Sequence, residues 1–298
     1  MLTLDKLIDK YIEYLNQEKR ASPLTIRNYT HYLNRFLDFI KNYFPTLGRP
    51  DAINQIIIQQ YKLYLGEFVD QKGSHLNTNT QGYHLIALRS FMRYLISRGF
   101  STVNLELVSI PHGTARPLKF LDSQQIEALL RLPDNLRDKS IMELLLSTGL
   151  RVSDLVKLNK NDIDFANKEI VISANDGTTR AIFFSEATGY WLNKYLSERK
   201  DDEIALFKRE AGKRGGSLRL TVRSIQRIVE KYVKKAGLPI KATPHTLRHT
   251  FAVNLLCTGE NLRKIQKLLG HKNISTTQIY THVTNPQLKE IHQKFHRR

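Results

Sequence analysis

The sequence has little cysteine and no long apolar segment. Its single cysteine, Cys257, cannot form a disulfide within the chain, and the apolar run FAVNLLCTG around it is typical of a buried, inert thiol. No run of 18 or more apolar residues occurs, and the amphipathic start MLTLDKLIDKYIEYL contains acids, unlike a signal peptide. These features predict a cytoplasmic protein that is neither inserted in a membrane nor secreted.

Motifs for nucleotide hydrolysis and for metal binding are also missing. No stretch fits G-x-x-x-x-G-K-[ST], because GKRGGS at residues 212–217 has similar letters in a different order. No H-E-x-x-H or paired-cysteine pattern occurs. His245 and His249 lie one helical turn apart and could ligate a metal, but Arg248 beside them disfavours a cation. We therefore expect no cofactor and no metal.

Acidic residues are scarce relative to basic ones. The chain has 46 Lys and Arg against 28 Asp and Glu, a formal net charge of +18. Such a charge attracts polyanions, and nucleic acid is the leading partner. An anionic membrane surface is the alternative, but it is usually met by one concentrated basic cluster, whereas these basic residues are scattered. We expect a DNA partner and no membrane, hence association with the nucleoid.

Periodicity predicts two domains. Apolar residues at spacings of three and four predict a helical domain over residues 1–110. Two prolines and a glycine make residues 111–118 a linker, and residues 119–298 form the second domain. That domain reads as helices with one β-hairpin, since two β-rich runs flank NDG in KEIVISANDGTTRAIFFS. The predicted fold class is mainly α with a small β-sheet.

Basic residues of the helical domain are candidates for phosphate contacts. Arg27 follows SPLT, and Arg89 and Arg93 share one face of a predicted helix. Each could instead belong to a solvated helix face. Residues 1–110 hold 13 basic and 9 acidic residues and the remainder 33 and 19, so both domains are basic. Two basic domains on a short linker suggest a clamp around a duplex.

The stretch TPHTLRHTFA, residues 243–252, opens a helix with two histidines and an arginine. The N–H groups of a helix start, a forked guanidinium and imidazoles all donate hydrogen bonds to phosphate oxygens. His245 and Arg248 are therefore predicted to face an anion.

Three ordered boxes resemble those of the tyrosine recombinases, the phage integrase family that includes the Xer resolvases. STGLRVSDLVKL resembles the box of the first catalytic arginine, Arg151, and TPHTLRHTFA resembles the H-x-x-R box. LGHKNISTTQIYTHV resembles the box in which a histidine, His271, precedes the nucleophilic tyrosine, Tyr280, by nine positions. The resemblance extends to the amino-terminal helices, which look like the family's SAM-like core-binding domain.

The resemblance implies a two-domain, C-shaped DNA clamp that recombines specific sites without a cofactor. Tyr280 would attack a DNA phosphate to give a 3′-phosphotyrosyl link and a free 5′-hydroxyl. Two guanidiniums, on Arg151 and Arg248, would compensate the charge that develops on the phosphate oxygens. His245 and His271 would donate hydrogen bonds and handle protons, and Asp154 would orient a basic group.

One departure from the family pattern concerns the β-hairpin. The pattern G-K-G-x-x-x-R aligns Arg180, a predicted DNA contact, with its arginine, and it leaves Asn175 where a lysine is expected as general acid. Asparagine cannot supply that proton. Lys168 on the preceding strand is one substitute. Alternatively the enzyme is slow, or the protein is a cleavage-deficient DNA-binding accessory protein or regulator.

The amphipathic tail helix, residues 286–298, needs an apolar groove. In members of the family such a tail docks on a neighbouring protomer, which implies a homo-tetramer on two DNA sites with tail exchange and with accessory proteins as further partners. The alternative is that the tail packs on its own domain. A type IB topoisomerase-like enzyme uses similar chemistry but fits an exchangeable tail less well.

Overall fold

The computed structural model describes residues 3–47, 49–71, 73–101, 105, 108–111, 118–173, 179–210 and 217–282. The chain divides into two compact units, Met1–Arg116 and Pro117–Arg298. Most of the predicted linker, residues 111–118, lies outside the described residues, so the predicted domain boundaries stay predictions. None of the described helices is both long enough and apolar enough to span a bilayer.

The first unit is helical. Polar side chains start its helices: Ser22, Asn54 and Asn77 each accept a hydrogen bond from the backbone N–H three residues on, which satisfies a donor that the first turn leaves unpaired. The apolar faces meet in one core rich in tyrosine and phenylalanine. The helices are α1 Leu4–Gln17, α2 Pro23–Tyr43, α3 Gln55–Glu67 and α4 Thr78–Ser97, with a 3₁₀ turn at Pro50–Ala52.

The second unit combines helices with a three-stranded antiparallel sheet of order β1-β2-β3. Its elements are α5 Ser123–Leu130, α6 Leu136–Thr148, α7 Val152–Leu155, a 3₁₀ turn Lys160–Asp162, β1 Ile163–Asp164, β2 Glu169–Ser173, β3 Thr179–Phe183, α8 Glu186–Ser197, α9 Val222–Lys235, α10 Pro244–Cys257, α11 Leu262–Leu269, α12 Ser275–Gln278 and a 3₁₀ turn Ile279–His282. The prediction of a mainly α fold with a small sheet is confirmed.

The predicted hairpin is the pair β2–β3, in which Ile172 lies opposite Arg180 and Glu169 opposite Phe183. The short strand β1, which pairs with β2 through Ile163 and Ile170, was not predicted. Two residues carry too little alternation to be recognised as a strand. The connection between β2 and β3, which contains Asn175, lies outside the described residues.

Two helix ends prepare the site. Helix α6 ends at Gly149 and helix α11 at Gly270, both with left-handed backbone (φ 59° and 63°), where glycine is favoured. A Cβ atom at Gly149 would overlap the ring of Phe251, and one at Gly270 would overlap the guanidinium of Arg180. Glycine therefore both ends each helix and makes room for the side chain packed against it.

Candidate active site

Three arginines from three separate elements meet at the carboxyl end of α11. Arg180 Nη1 donates to the carbonyl of Leu268 (3.2 Å), Arg248 Nη2 to that of Leu269 (2.7 Å) and Arg151 Nη2 to that of Gly270 (2.9 Å). The last carbonyls of a helix have no partner within it and carry the negative end of its dipole. Three consecutive carbonyls thus hold three guanidiniums together, a set that we call the arginine cluster.

Arg248 is the buried centre of the arginine cluster. It is 4% exposed, and its Nη1 also donates to the carbonyl of Gly149 (2.6 Å), so two helix ends hold one guanidinium. Burial, followed by repulsion from Arg151, lowers the pKa of Arg248 to about 10. Arg248 therefore remains charged at neutral pH. Burial raises the free energy of this charge, and a bound anion would lower it.

Arg180 and Asp154 form an ion pair beside the cluster. Arg180 Nη2 lies 3.2 Å from Asp154 Oδ2, and burial lowers the pKa of Arg180 despite that carboxylate. Asp154 is the orienting partner that its place three residues after Arg151 predicts. Three guanidiniums face one carboxylate in this group, so the site keeps an excess of positive charge.

The two histidines nearest the cluster are uncharged at neutral pH. His271 Nδ1 is 2.8 Å from Thr277 Oγ1, and burial and then Arg248 lower the pKa of His271 to about 4. His249 has a pKa that is lowered to about 4 by burial, then by His245 and Arg248. Neutral imidazoles in this position can each donate one hydrogen bond and accept another.

Tyr280 is buried against both histidines, with 1% of its surface exposed. Its hydroxyl lies 3.0 Å from His249 Nδ1, and its ring is stacked on that of His271 with centroids 6.5 Å apart. Burial raises the pKa of Tyr280, while Arg248 and Arg151 oppose the shift. The hydroxyl is therefore protonated in this state and sits within the field of the arginine cluster.

Four of the five residues predicted to be catalytic pack into one site: Arg151, Arg248, His271 and Tyr280. The fifth, His245, is exposed one turn before His249, and their ring centroids are 6.5 Å apart. Helix α10 carries His245, Arg248 and His249 near its start. The helix begins with a capping box between Thr243 and Thr246 and with Pro244 in the first turn, which fixes the position of these three side chains along the helix. The roles of these residues stay predictions.

The remaining predicted residues fall in different places. In the first unit Arg27 and Arg93 are exposed on α2 and α4, whereas Arg89 is partly buried. Arg180, predicted to contact DNA, belongs to the arginine cluster. Asn175 lies outside the described residues.

Lys168, expected on the strand before the hairpin turn, lies instead on the turn before β2, and its role as a substitute general acid stays a prediction. Its Nζ forms an ion pair with the carboxylate of Glu186, the first residue of α8. It precedes Ile172, the partner of Arg180, by four residues, a distance of roughly 13 Å along a strand.

Sequence reasoning missed the bond between His249 and Tyr280 and the carbonyls that anchor the arginines. Backbone carbonyls leave no signal in residue identity, although Gly149 and Gly270 mark the ends that present them. His249 reads from its position as a core or supporting histidine, and only the fold shows that its ring meets the tyrosine. Among the residues that the structure describes, no group of three or more His, Cys, Asp or Glu is placed to hold a metal ion.

Comparisons with known proteins agree with this geometry. The model of the Phage integrase family matches residues 119–286, and that of the Phage integrase, N-terminal SAM-like domain, matches residues 8–99. The chain therefore belongs to the phage integrase family, and the predicted family membership is confirmed.

Individual relatives are similar over their full length. A tyrosine recombinase XerC of Oceanobacillus iheyensis is 34% identical over 100% of this chain and 98% of its own, and a XerD of the same organism is 31% identical over 99% of each. The fold is similar to that of the XerH site-specific recombinase bound to a palindromic difH substrate. The TM-score is 0.74 at 22% identity, over 97% of this chain and 84% of that one.

Proposed function

We propose that this protein is a site-specific DNA recombinase that cleaves and rejoins double-stranded DNA through a covalent 3′-phosphotyrosyl intermediate. The observation that carries the proposal is the packing of the Tyr280 phenol into the same site as three clustered guanidiniums. A guanidinium cluster suits a phosphodiester, and a tyrosine beside it suits nucleophilic attack on that phosphate.

In this scheme Arg151 and Arg248 bind the non-bridging oxygens of the scissile phosphate. Their fixed positions mean that charge developing during attack meets donors that need no rearrangement. Tyr280 attacks phosphorus, its phenolic proton leaves, and the bond to the 5′-oxygen breaks. His271 and His245 donate hydrogen bonds to the phosphate and handle protons. The reverse attack by a 5′-hydroxyl restores the diester, so the energy of the bond is retained and no nucleotide is consumed.

Both units would contact the duplex. Arg27, Arg89 and Arg93 of the first unit and Arg180 of the second would contribute to DNA binding. We further propose a homo-tetramer on two DNA sites, joined by exchange of residues 286–298, with accessory proteins as additional partners and with nucleoid-associated localisation in the cytoplasm. Deleting residues 286–298 should abolish joint molecules between two sites while single-site binding persists, and unchanged joint molecules would exclude the exchange.

The direct test is the covalent adduct. Purified protein is incubated with fragmented DNA of its source without metal or ATP, quenched in SDS and scored for DNA that is held until protease is added. We expect an adduct that Tyr280→Phe abolishes.

Tyr232→Phe is the matched control for this test. It also removes a buried phenolic hydroxyl, one whose oxygen lies 2.9 Å from Asp134 Oδ1 and 3.0 Å from Asp138 Oδ2 in the same unit. It should keep the adduct. Absence of any adduct across the whole DNA pool, despite DNA binding, would instead favour the cleavage-deficient regulator that Asn175 suggests.

A further inference from the structure

We propose that His249 is the proton acceptor for the nucleophilic tyrosine, so that His249 Nδ1 takes the phenolic proton of Tyr280 as the oxygen–phosphorus bond forms. The inference deepens the proposed function and rests on it. It assigns a catalytic role to a residue outside the five that the sequence boxes single out.

The first support is direct contact with the reacting atom. His249 Nδ1 lies 3.0 Å from the Tyr280 hydroxyl, within the reach required of a general base. The two rings meet edge to face, with centroids 5.5 Å apart and planes inclined by 63°. Because Tyr280 is 1% exposed, bulk water has little access to the hydroxyl, and a proton leaving it goes most directly to the imidazole.

The other histidines of the site are less well placed for this step. His271 stacks on the tyrosine ring at an interplanar angle of 11°, and its Nδ1 is engaged with Thr277 Oγ1. The centroid of its ring is 6.5 Å from that of the phenol, and no hydrogen bond joins it to the Tyr280 hydroxyl among the described residues. His245 is exposed and lies beyond His249, with ring centroids 6.5 Å apart. In the described part of the chain, the bond that the Tyr280 hydroxyl makes is to His249.

The surrounding charges explain how the step is confined to bound DNA. Burial together with His245 and Arg248 keeps His249 neutral, so in the Nε2–H tautomer its Nδ1 lone pair is open to the phenol. Burial is the main cause of the low proton affinity of this imidazole, and repulsion from Arg248 adds to it. A phosphate on the cluster offsets that repulsion, and the proton can then move from oxygen to nitrogen as the oxygen bonds to phosphorus.

The reaction transfers two protons, and His249 takes part in only one of these transfers. One proton passes from Tyr280 to His249, and the departing 5′-oxygen takes its own proton from a different donor. A 5′-bridging sulfur makes a leaving group that needs no proton, because a thiolate is far more stable than an alkoxide. Such a substrate bypasses a defect in the general acid and leaves a defect in the base unrepaired.

The test uses the variants His249→Asn, His249→Gln and His249→Ala. Their substrate is the DNA fragment that the unaltered protein links covalently in the adduct test. Asparagine can place an oxygen near the position of Nδ1 and keep a hydrogen bond, but it cannot accept a proton at neutral pH. Adduct formation is measured in a single turnover with the ordinary diester and with the 5′-bridging sulfur. We expect all three variants to be slower by about 10²- to 10⁴-fold on both substrates.

Thermal melting and DNA binding accompany these rates and separate a folding defect from a chemical one. Wild-type rates in His249→Asn would overturn the base and leave His249 as a positioning residue for the phenol. A wild-type rate of the variants on the 5′-bridging sulfur substrate would also contradict the proposal, because it would show that His249 protonates the leaving group. An unaltered protein that forms no adduct at all contradicts the proposed function itself, whereas an active one with an active asparagine variant contradicts only the role of His249.

Discussion

Buried basic side chains are hydrogen-bonded differently in the two units. In the second unit Arg248 is buried with both Nη atoms donating to carbonyls. In the first, Arg35 Nη1, His84 Nε2 and Arg89 Nε are buried and have no hydrogen-bond partner within the described structure. Buried donors are normally satisfied, so the first unit leaves these three to water or to a bound molecule. The second unit satisfies the guanidinium of Arg248 with its own backbone carbonyls.

The carbonyl contacts of the second unit explain how a cluster of guanidiniums can be stable without a bound anion. Like charges on Arg151, Arg180 and Arg248 repel one another, and each guanidinium requires acceptors. Consecutive carbonyls at the end of α11 supply these acceptors without adding a carboxylate that would compete with phosphate for every arginine. Helix ends are therefore well suited to hold a phosphate-binding cluster in place.

Among the substitutions that test this contrast, the largest effect comes from removing the anchored guanidinium. Arg248→Met should reduce cleavage by about 10³-fold, because a fixed donor to the developing charge is lost. It should also destabilise the protein by about 1–3 kcal/mol, because two buried carbonyls lose their partner. Single-turnover adduct formation and thermal melting measure the two effects.

Arg35→Met is the matched control in the first unit. Arg35 stacks on Phe68, with Cζ 3.9 Å from the ring centroid, and methionine can keep much of that apolar contact. We expect a change of less than about 1 kcal/mol. Equal destabilisation by the two substitutions would contradict the contrast between the units.

The second largest effect concerns the general acid, because Asn175 stands where the family pattern has a lysine. Asn175→Lys should raise cleavage of an ordinary diester by about 10²-fold if the 5′-oxygen departs without a dedicated acid. It should have little effect on a 5′-bridging sulfur substrate. An unchanged rate on the ordinary diester would mean that another residue already supplies the proton.

Much of this site could be predicted from residue identities, and the limits have a physical origin. Arg151, Arg248, His271 and Tyr280 stand out because their spacing in three boxes is distinctive, and the helices stand out through their periodicity. The anchoring of the arginines depends on backbone carbonyls, which every residue has. The contact between His249 and Tyr280 spans 31 positions and depends on how α10 packs against the segment after α11.

A third effect is the dependence of stability on pH. His84, His249 and His271 all have pKa values lowered to about 4, with burial as the first cause. The unfolded chain takes up these protons near pH 6.5 while the folded protein does not. Stability therefore falls as pH decreases from about 6.5 to 4, by roughly 1–2 kcal/mol at pH 5 for the buried His84 and by less for the partly exposed His249 and His271, whose charges solvent screens.

His84 lies in the first unit, where burial also lowers the pKa of His31, and His249 and His271 lie in the second, so both units should lose stability. Hydrogen exchange at pH 7 and pH 5, corrected for the intrinsic rate, can follow each unit separately. His84→Phe should reduce the pH dependence of the first unit and leave that of the second unchanged. An unchanged pH dependence in His84→Phe, or a gain in stability on acidification, would contradict the burial of these imidazoles.

The smallest effect is expected at the exposed arginines of the first unit. Arg27→Ala and Arg93→Ala should each reduce the slope of log binding constant against log salt by about 1, without altering melting. Arg131→Ala is the control, because this exposed arginine pairs with Glu127 in the second unit. A fluorescence titration at several salt concentrations checks this, and an unchanged slope in Arg27→Ala and Arg93→Ala would remove them from the DNA interface.

The most direct test of the account is to locate the covalent link. The adduct is digested with nuclease and trypsin and analysed by mass spectrometry. Cleavage after Lys272 and Lys289 gives a peptide of residues 273–289 in which Tyr280 is the only tyrosine. The account predicts a nucleotide joined through its 3′-phosphate to Tyr280. A nucleotide on any other residue, or one joined through a 5′-phosphate, would contradict it.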